Sequence, residues 1–267
     1  MLATNNIIKQ QIKHAFAQAA TRYDQAAQLQ QTSAIQLAGL IKPVLEQTSA
    51  QTVVELGCGT GFLTEALAPV MNTHCFIVTD LARPMLLTTQ HKLRMLNTLH
   101  YACVDMDALP FASHSIDLLC ANLALQWSQQ LAHSLKDLRR VLTHNGQLMF
   151  TTFGAHSLIE LKTAWASLDT YQHVNDFYNQ EQLASLLKQA GFNTINIQCQ
   201  RYEQDYASVF ELMQALKTIG ANKIVGASKK GLTTRAQLHA LENAYLRLTQ
   251  ASTITATFEI ITLQASA

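Results

Sequence analysis

The chain has little charge, and it lacks the patterns that usually mark a metal or nucleic-acid site. Charged residues make up 14% of its 267 positions, and the formal net charge is +1. A chain this close to neutrality has no overall field that would draw it to nucleic acid or to an anionic membrane. Its ten histidines show no His-Glu-x-x-His or comparable spacing, so we expect no metal site.

Cysteine and long apolar runs are also scarce. The five cysteines are odd in number and no two form Cys-x-x-Cys, so we interpret them as reduced, buried thiols rather than as a disulfide framework. The most apolar segment, 116–125, contains Asp117 and Asn122 and is much shorter than the roughly 20 residues that cross a bilayer. These features favour a cytoplasmic protein, which we expect to be a monomer.

The order of apolar runs and helical patterns predicts the architecture. Between residues 51 and 155 short apolar runs alternate with helical patterns, which is typical of a parallel sheet with helices on both faces. We predict an α/β fold with a Rossmann-like, seven-stranded, mostly parallel sheet in a single domain over 1–267. An N-terminal helical arm (1–45) precedes the core (46–155), and residues 156–267 supply further helices and the last two strands. The first five predicted strands are Thr52–Leu56, Cys75–Asp80, Tyr101–Val104, Ile116–Asn122 and Gln147–Phe153, with a turn at Asn145-Gly146 before the last.

A glycine-rich turn follows the first of these strands and carries the strongest functional signal. Gly57, Gly59 and Gly61 alternate with Cys58 and Thr60, and a helical pattern begins directly after them. Glycine lets a ligand approach the backbone closely, and the start of the next helix offers free N–H groups. The G-x-G-x-G spacing differs from the G-x-G-x-x-G of dinucleotide enzymes, and no Gly-Lys-Ser/Thr for a triphosphate is present.

Acidic residues flank this turn at two informative distances. Glu55 lies two residues before the first glycine, and Asp80 ends the second predicted strand, nineteen residues after Gly61. An acidic residue at the end of the second strand of such a unit hydrogen-bonds ribose hydroxyls. Together these features resemble the class I S-adenosylmethionine (SAM) methyltransferases, which places Glu55, the three glycines and Asp80 in a SAM site. A generic βαβ unit with a tight turn is the alternative.

The resemblance implies further SAM contacts. Leu81 would pack on the adenine, Asp105 after the third strand would bind the adenine amino group, and Met106 would supply its backbone N–H. Asn122, which ends the fourth strand, would lie beside the methionine part of the donor. The alternative for Asp105 is a role as a helix cap or turn residue.

Longer blocks narrow the resemblance to one family. Residues 122–127 read Asn-Leu-Ala-Leu-Gln-Trp, and residues 216–222 read Leu-Lys-Thr-Ile-Gly-Ala-Asn. With the arm segment 15–30, these blocks are similar to the malonyl-[acyl-carrier-protein] O-methyltransferases of biotin synthesis. The resemblance covers nearly the whole chain and implies methyl transfer from SAM to the free carboxylate of a malonyl thioester.

The acceptor site has five candidate residues. A malonyl carboxylate is already ionised at neutral pH, so the reaction needs positioning, with neutral donors near the attacking oxygen, and no general base. Tyr23 and Trp127 could serve this purpose or could be packing aromatics of a lid, and Lys217 could equally face solvent. The full set of candidates is Tyr23, Gln126, Trp127, Lys217 and Asn222.

Local charge indicates the partner. No Asp or Glu lies between Glu211 and Glu242, and the arm carries only basic charges before its first acidic residue, namely Lys9, Lys13 and Arg22. Such a surface would steer the docking of an acidic acyl carrier protein, although ordinary solvated lysines would give the same pattern. Two other functions stay open: another class I O- or C-methyltransferase acting on a small acid or quinone precursor, and a SAM-binding protein without turnover.

Overall fold

A single sheet organises the described part of the chain. The computed structural model describes residues 2–47, 52–71, 75–96, 98–221, 234–250 and 252–267. The strand order is β3-β2-β1-β4-β5-β7-β6; β1 to β5 run parallel, and β7 is antiparallel to both of its neighbours. This confirms the predicted Rossmann-like, mostly parallel sheet. The strands are β1 Thr52–Leu56, β2 Cys75–Asp80, β3 Leu99–Cys103, β4 Ile116–Asn122, β5 Leu142–Phe153, β6 Ile195–Tyr206 and β7 Ile254–Ser266.

Helices cover both faces of the sheet. Side chains alternate across a strand, so Val53 and Val54 of β1 point to opposite faces. Val53 belongs to a buried cluster with Leu37, and Val54 belongs to a second cluster with Leu135. The helices are α1 Leu2–Ala19, α2 Gln28–Gln47, α3 Phe62–Leu67, α4 Arg83–Lys92, α5 Leu131–Val141, α6 Ile159–Ala166, α7 Gln180–Gln189, α8 Val209–Thr218 and α9 Arg235–Thr249.

A third buried cluster forms where the later helices pack on the long antiparallel strands. It joins Trp165 of α6, Leu212 of α8 and Tyr245 of α9 to Phe258 of β7. The Tyr245 hydroxyl donates a hydrogen bond to the carbonyl of Thr255 at 2.9 Å, so this large polar side chain is satisfied although it is buried. The cluster places α6 and α8 beside the carboxyl ends of β4 and β5.

The start of β5 differs from its prediction. Ile116 pairs with Leu142 while Leu118 pairs with Gln147, so residues 143–146 form a bulge opposite Asp117. The predicted Asn145-Gly146 turn lies inside this bulge, and the strand begins before it. A Cβ on Gly146 would lie 3.0 Å from backbone atoms of Thr143, which explains why glycine fits there.

The expectation that all five cysteines are buried was wrong. Cys58 and Cys120 are buried free thiols, whereas Cys75, Cys103 and Cys199 are exposed. Cys103 ends β3 and Cys199 lies on β6, and these two strands form the edges of the sheet. Within the described residues, no helix has the length and apolarity that a membrane span requires.

Candidate active site

The glycine turn after β1 adopts backbone angles that favour glycine. Gly57 has φ +70° and Gly59 has φ +57°, both in the left-handed region. A Cβ on Gly57 would lie 2.6 Å from the Cβ of Ala124, so only glycine lets the turn approach the segment after β4. No atom lies within 4 Å of a Cβ built on Gly59, which therefore faces open space.

Asp80 holds the turn from the end of β2. One carboxylate oxygen accepts the N–H of Gly59 at 3.0 Å, and the other accepts the N–H of Ala82 at 2.7 Å. The second bond serves the start of α4, where Ala82 provides no capping side chain. Burial raises the pKa of Asp80 to about 6, although the two N–H donors act in the opposite direction.

Glu55 supports the same turn from beneath. Its buried carboxylate accepts the Thr64 hydroxyl at 2.6 Å, which ties β1 to the first turns of α3. Burial raises the pKa of Glu55 to about 7; the Thr64 bond lowers it and the charge of Asp80 raises it further. Glu55 therefore helps to fix the geometry of the turn.

Gly61 has a different place from the other two glycines. It precedes α3 with φ +92°, and a Cβ there would lie 2.7 Å from the Thr89 side chain on α4. Its small size lets α3 and α4 meet, and it does not line the cavity described next.

A cavity of about 870 Å³ lies over the carboxyl ends of the central strands and opens to solvent. We call it the donor cavity. Helix α1 lies against one side of it through Ile12 and Phe16. The sequence-predicted residues that line it are Tyr23, Glu55, Gly57, Gly59, Asp80, Leu81, Asp105, Met106, Asn122 and Trp127.

The strand order arranges these residues in a line. Asp105 follows β3, Asp80 ends β2, Gly57 follows β1 and Asn122 ends β4, and the four strands are neighbours in that order. Because neighbouring strands lie about 4.8 Å apart, the line spans roughly 15 Å. This length suits an extended ligand such as a nucleoside with an amino-acid tail.

Lys9 of α1 binds the acidic end of this line, and sequence reasoning missed it as a site residue. Its Nζ lies 2.8 Å from Oδ2 of both Asp105 and Asp107. Asp105 also accepts the N–H of Asp107 at 3.0 Å, so the turn role considered for it is present. Burial alone would raise the pKa of Asp107, but hydrogen bonds from Lys9, Ser128 and Ser134 hold it below its ordinary value.

The side chain of Asn122 is engaged by protein groups. Its oxygen accepts the hydroxyls of Ser33 and Thr151, each at 2.8 Å, and its nitrogen donates to the backbone carbonyl of Gln30 at 3.0 Å. Asn122 thus fastens α2 to the ends of β4 and β5. It lines the cavity, but its side-chain oxygen and nitrogen are already hydrogen-bonded to protein groups.

A second cavity, of about 1,010 Å³, adjoins the first. Gln126 lines this second cavity only, whereas Trp127 lines both. The Trp127 ring meets the edge of Phe16 with the ring centroids 5.3 Å apart, so the indole is fixed between α1 and the two cavities. The apolar lining of the second cavity includes Phe153, Leu158, Leu161, Trp165, Phe177 and Leu216.

Of the two remaining predicted acceptor residues, one is placed elsewhere and the other is not described. Lys217 lines neither of these cavities; it lies on a surface groove between α1 and α8 together with His14 and Arg22. Asn222 lies outside the described residues. Both assignments stay predictions.

Comparison with known proteins decides the family. Residues 54–150 match the family described as "Methyltransferase domain". The malonyl-[acyl-carrier protein] O-methyltransferase of Methylococcus capsulatus (strain Bath) is 33% identical over 248 residues, which are 92% of this chain and 90% of that protein. The chain belongs to the malonyl-[acyl-carrier protein] O-methyltransferase family. The protein of the same name from Methylovorus sp. (strain MP688) is 32% identical over 96% of this chain and 88% of its own.

Two further comparisons concern a longer relative and a solved structure of similar fold. The biotin biosynthesis bifunctional protein BioHC of Saccharophagus degradans is 35% identical over 89% of this chain, which spans only 42% of that longer protein. Among solved structures, the YcgJ protein from Bacillus subtilis superposes with a TM-score of 0.62 at 12% identity, over 86% of this chain and 97% of its own. That likeness shows the fold alone.

The enzyme is a SAM-dependent methyltransferase, and the donor cavity fits SAM in shape and chemistry. Gly59 leaves space at the turn, and the Asp80 carboxylate lies where ribose hydroxyls would meet it. Asp105 would hold the adenine end, and the turn at Gly57 would face the middle of the donor. When bound, SAM supplies a methyl group carried on a positively charged sulfur.

Proposed function

We propose that this enzyme transfers the methyl group of SAM to the free carboxylate of a malonyl thioester on an acidic acyl carrier protein, for biotin synthesis. The two O-methyltransferases described above support this substrate, since the likeness extends over most of both chains. In the structure, the observation that carries the proposal is that Trp127 lines both cavities. A methyl group and an acceptor oxygen brought from opposite sides would meet at this residue.

The second cavity suits the acyl end of a thioester. Among the described residues that line it, His173 is the one ionisable group, and its ring stacks on Trp165 with the centroids 3.7 Å apart. A carboxylate placed here would keep its nucleophilic charge, because none of the described residues that line the cavity is a lysine or an arginine. Its attraction to a sulfonium also grows as water is excluded.

Trp127 and Gln126 are neutral donors beside this junction. The Gln126 amide donates to the carbonyl of Leu123 at 2.6 Å, so its position at the start of the second cavity is fixed. We assign the Trp127 indole N–H the role of holding the acceptor carboxylate through one oxygen while the other attacks. The carboxylate oxygen forms a bond to the methyl carbon as the carbon–sulfur bond breaks, and the electron pair stays on sulfur.

Tyr23 belongs to the donor side of this arrangement. It lines the donor cavity and not the second one. Burial raises the pKa of its hydroxyl above the ordinary value, and the charges of Asp80 and Asp24 raise it further, so the phenol stays protonated. We propose that Tyr23 closes the arm over the donor rather than holding the malonyl group.

The groove between α1 and α8 is the surface on which we propose that the carrier protein docks. His14, Arg22 and Lys217 are exposed there. Helix α8 separates this groove from the second cavity, because Leu216 faces the cavity while Lys217 faces the groove. Lys9 does not add to this surface, since it is bonded to Asp105.

The test is a transfer assay with labelled SAM and four acceptors: malonyl-acyl carrier protein, malonyl-coenzyme A, free malonate and acetyl-acyl carrier protein. The proposal predicts label in a base-labile ester on the malonyl thioesters and none on the acetyl protein, which has no free carboxylate. Trp127→Phe keeps the ring contact with Phe16 but removes the N–H. We expect it to lower kcat about tenfold or more with little change in SAM affinity. SAM binding without transfer to either malonyl thioester would contradict the proposal.

A further inference from the structure

One buried polar group beside the donor cavity has no partner. Gln30 of α2 is 6% exposed, and its side-chain oxygen is fully buried without a hydrogen-bond partner among the described residues. An unpaired buried amide is costly, so such groups in folded proteins usually have a partner that completes them. Gln30 lines the donor cavity, where a ligand would be that partner.

The position of Gln30 along the cavity is well defined. Its backbone carbonyl accepts the Asn122 side chain at 3.0 Å, which sets it at the carboxyl end of β4. Asp80, where we expect the ribose to bind, ends β2, and β2 and β4 are separated by β1. Gln30 therefore lies about 10 Å from the sugar end of the site, on the side away from Asp105.

Three carboxylates that line the cavity already have hydrogen-bond partners. The carboxylate of Asp80 accepts two backbone N–H groups, that of Glu55 accepts a hydroxyl, and that of Asp105 accepts Lys9. The far end of SAM is an α-amino acid, which carries an ammonium and a carboxylate on one carbon. A primary amide matches this pair, because its oxygen accepts from the ammonium and its nitrogen donates to the carboxylate.

We propose that the side-chain amide of Gln30 binds the amino-acid part of SAM. In the free protein the side-chain oxygen has no partner among the described residues, and rotation of the amide toward the cavity on donor binding would complete its hydrogen bonds. The role is one of binding and orientation: Gln30 sets how far along the strand ends the sulfur lies. It depends on the donor cavity and not on the identity of the acceptor.

The test compares two ligands by calorimetry. S-adenosylhomocysteine has the amino-acid part, whereas 5′-methylthioadenosine keeps the adenosine and the sulfur but lacks it. Gln30→Met should lower the affinity for S-adenosylhomocysteine about tenfold and change that for methylthioadenosine by less than about twofold. Gln28→Met is the matched control, because Gln28 is exposed on the same helix, and both affinities should stay unchanged.

Other results would overturn the proposal. Equal losses for the two ligands would show a structural or adenosine-binding role, and no loss for S-adenosylhomocysteine would show that Gln30 does not bind the donor. A lower melting temperature of ligand-free Gln30→Met would also indicate a structural role, since the proposal leaves the free amide unpaired. Should Gln30→Met not fold, Gln30→Glu is nearly isosteric. It should lose affinity for S-adenosylhomocysteine but keep it for the decarboxylated analogue, which retains the amino group; equal behaviour toward these two ligands would contradict the proposal.

Discussion

The raised pKa of Asp80 predicts that donor affinity depends on pH. In the proposed site, ribose hydroxyls would donate to the ionised carboxylate, so we expect the protonated form to bind poorly. With a pKa of about 6, Asp80 is about 90% ionised at pH 7 and about 10% at pH 5. The affinity for S-adenosylhomocysteine should therefore fall about ninefold between these pH values, because the charges of this ligand do not titrate in the range.

The same pKa shifts make the stability of the ligand-free protein fall as the pH rises, whereas the donor affinity rises. The folded-state pKa values of Asp80 and Glu55, about 6 and about 7, lie above the ordinary carboxyl values. The native state therefore binds more protons than the unfolded chain between about pH 4 and pH 7. The contribution of these two groups to stability is fully present below pH 4 and is lost as the pH rises through 6 and 7.

Calorimetry at half-unit steps from pH 5 to pH 8 measures how the affinity for S-adenosylhomocysteine depends on pH. Urea unfolding of the ligand-free protein over the same range measures how its stability depends on pH. Asp80→Asn should bind weakly at every pH, with a flat profile. Glu55→Gln serves as the control for the other titrating carboxylate and should keep the slope that comes from Asp80. A flat profile in the unaltered protein, or the same slope in Asp80→Asn, would show that ionisation of Asp80 does not control donor affinity.

Three further predictions follow from contacts in the site. Gly57→Ala should lower the free energy of unfolding in urea by about 2–3 kcal/mol, because the added Cβ would clash with its neighbours and φ is positive. Gly59→Ala should lower it by only about 1 kcal/mol but abolish most donor binding. Equal stabilities of the two variants would contradict this prediction. Lys9→Met should lower the free energy of unfolding by about 1–2 kcal/mol, because it removes the cation that pairs with two carboxylates. This loss should be smaller at high salt, and a loss that does not depend on salt would contradict the prediction. Arg22→Glu should raise KM for the malonyl carrier protein about tenfold and leave KM for malonyl-coenzyme A unchanged, as should Lys217→Glu; equal effects on both substrates would argue against the docking groove.

The local part of the site was predictable from the sequence. The glycine turn, Glu55 and Asp80 lie within one strand–turn–helix–strand unit, and their spacing alone defines their geometry. Residues 52–56 and 75–80 form strands with the predicted bounds. The contacts of Lys9 with Asp105 and of Gln30 with Asn122 could not be predicted in this way, because they join positions 96 and 92 residues apart.

Helix geometry explains why Lys217 faces the groove between α1 and α8 and not the second cavity. Successive residues on a helix point about 100° apart, so Leu216 and Lys217 cannot face the same cavity. The sequence block that contains both resembles the family, but the resemblance does not show which of the two residues points toward the substrate. Met213 and Leu216 face the second cavity, and Gln214 and Lys217 face the groove.

A crystal structure with S-adenosylhomocysteine and a non-hydrolysable malonyl-pantetheine analogue is the most direct test of the two-cavity arrangement. We predict adenosine against Asp80, the amino-acid part against Gln30, and the malonyl carboxylate entering from the second cavity to reach the sulfur beside Trp127. A donor bound outside the cavity, or a malonyl group that reaches the sulfur without passing Trp127, would contradict this prediction.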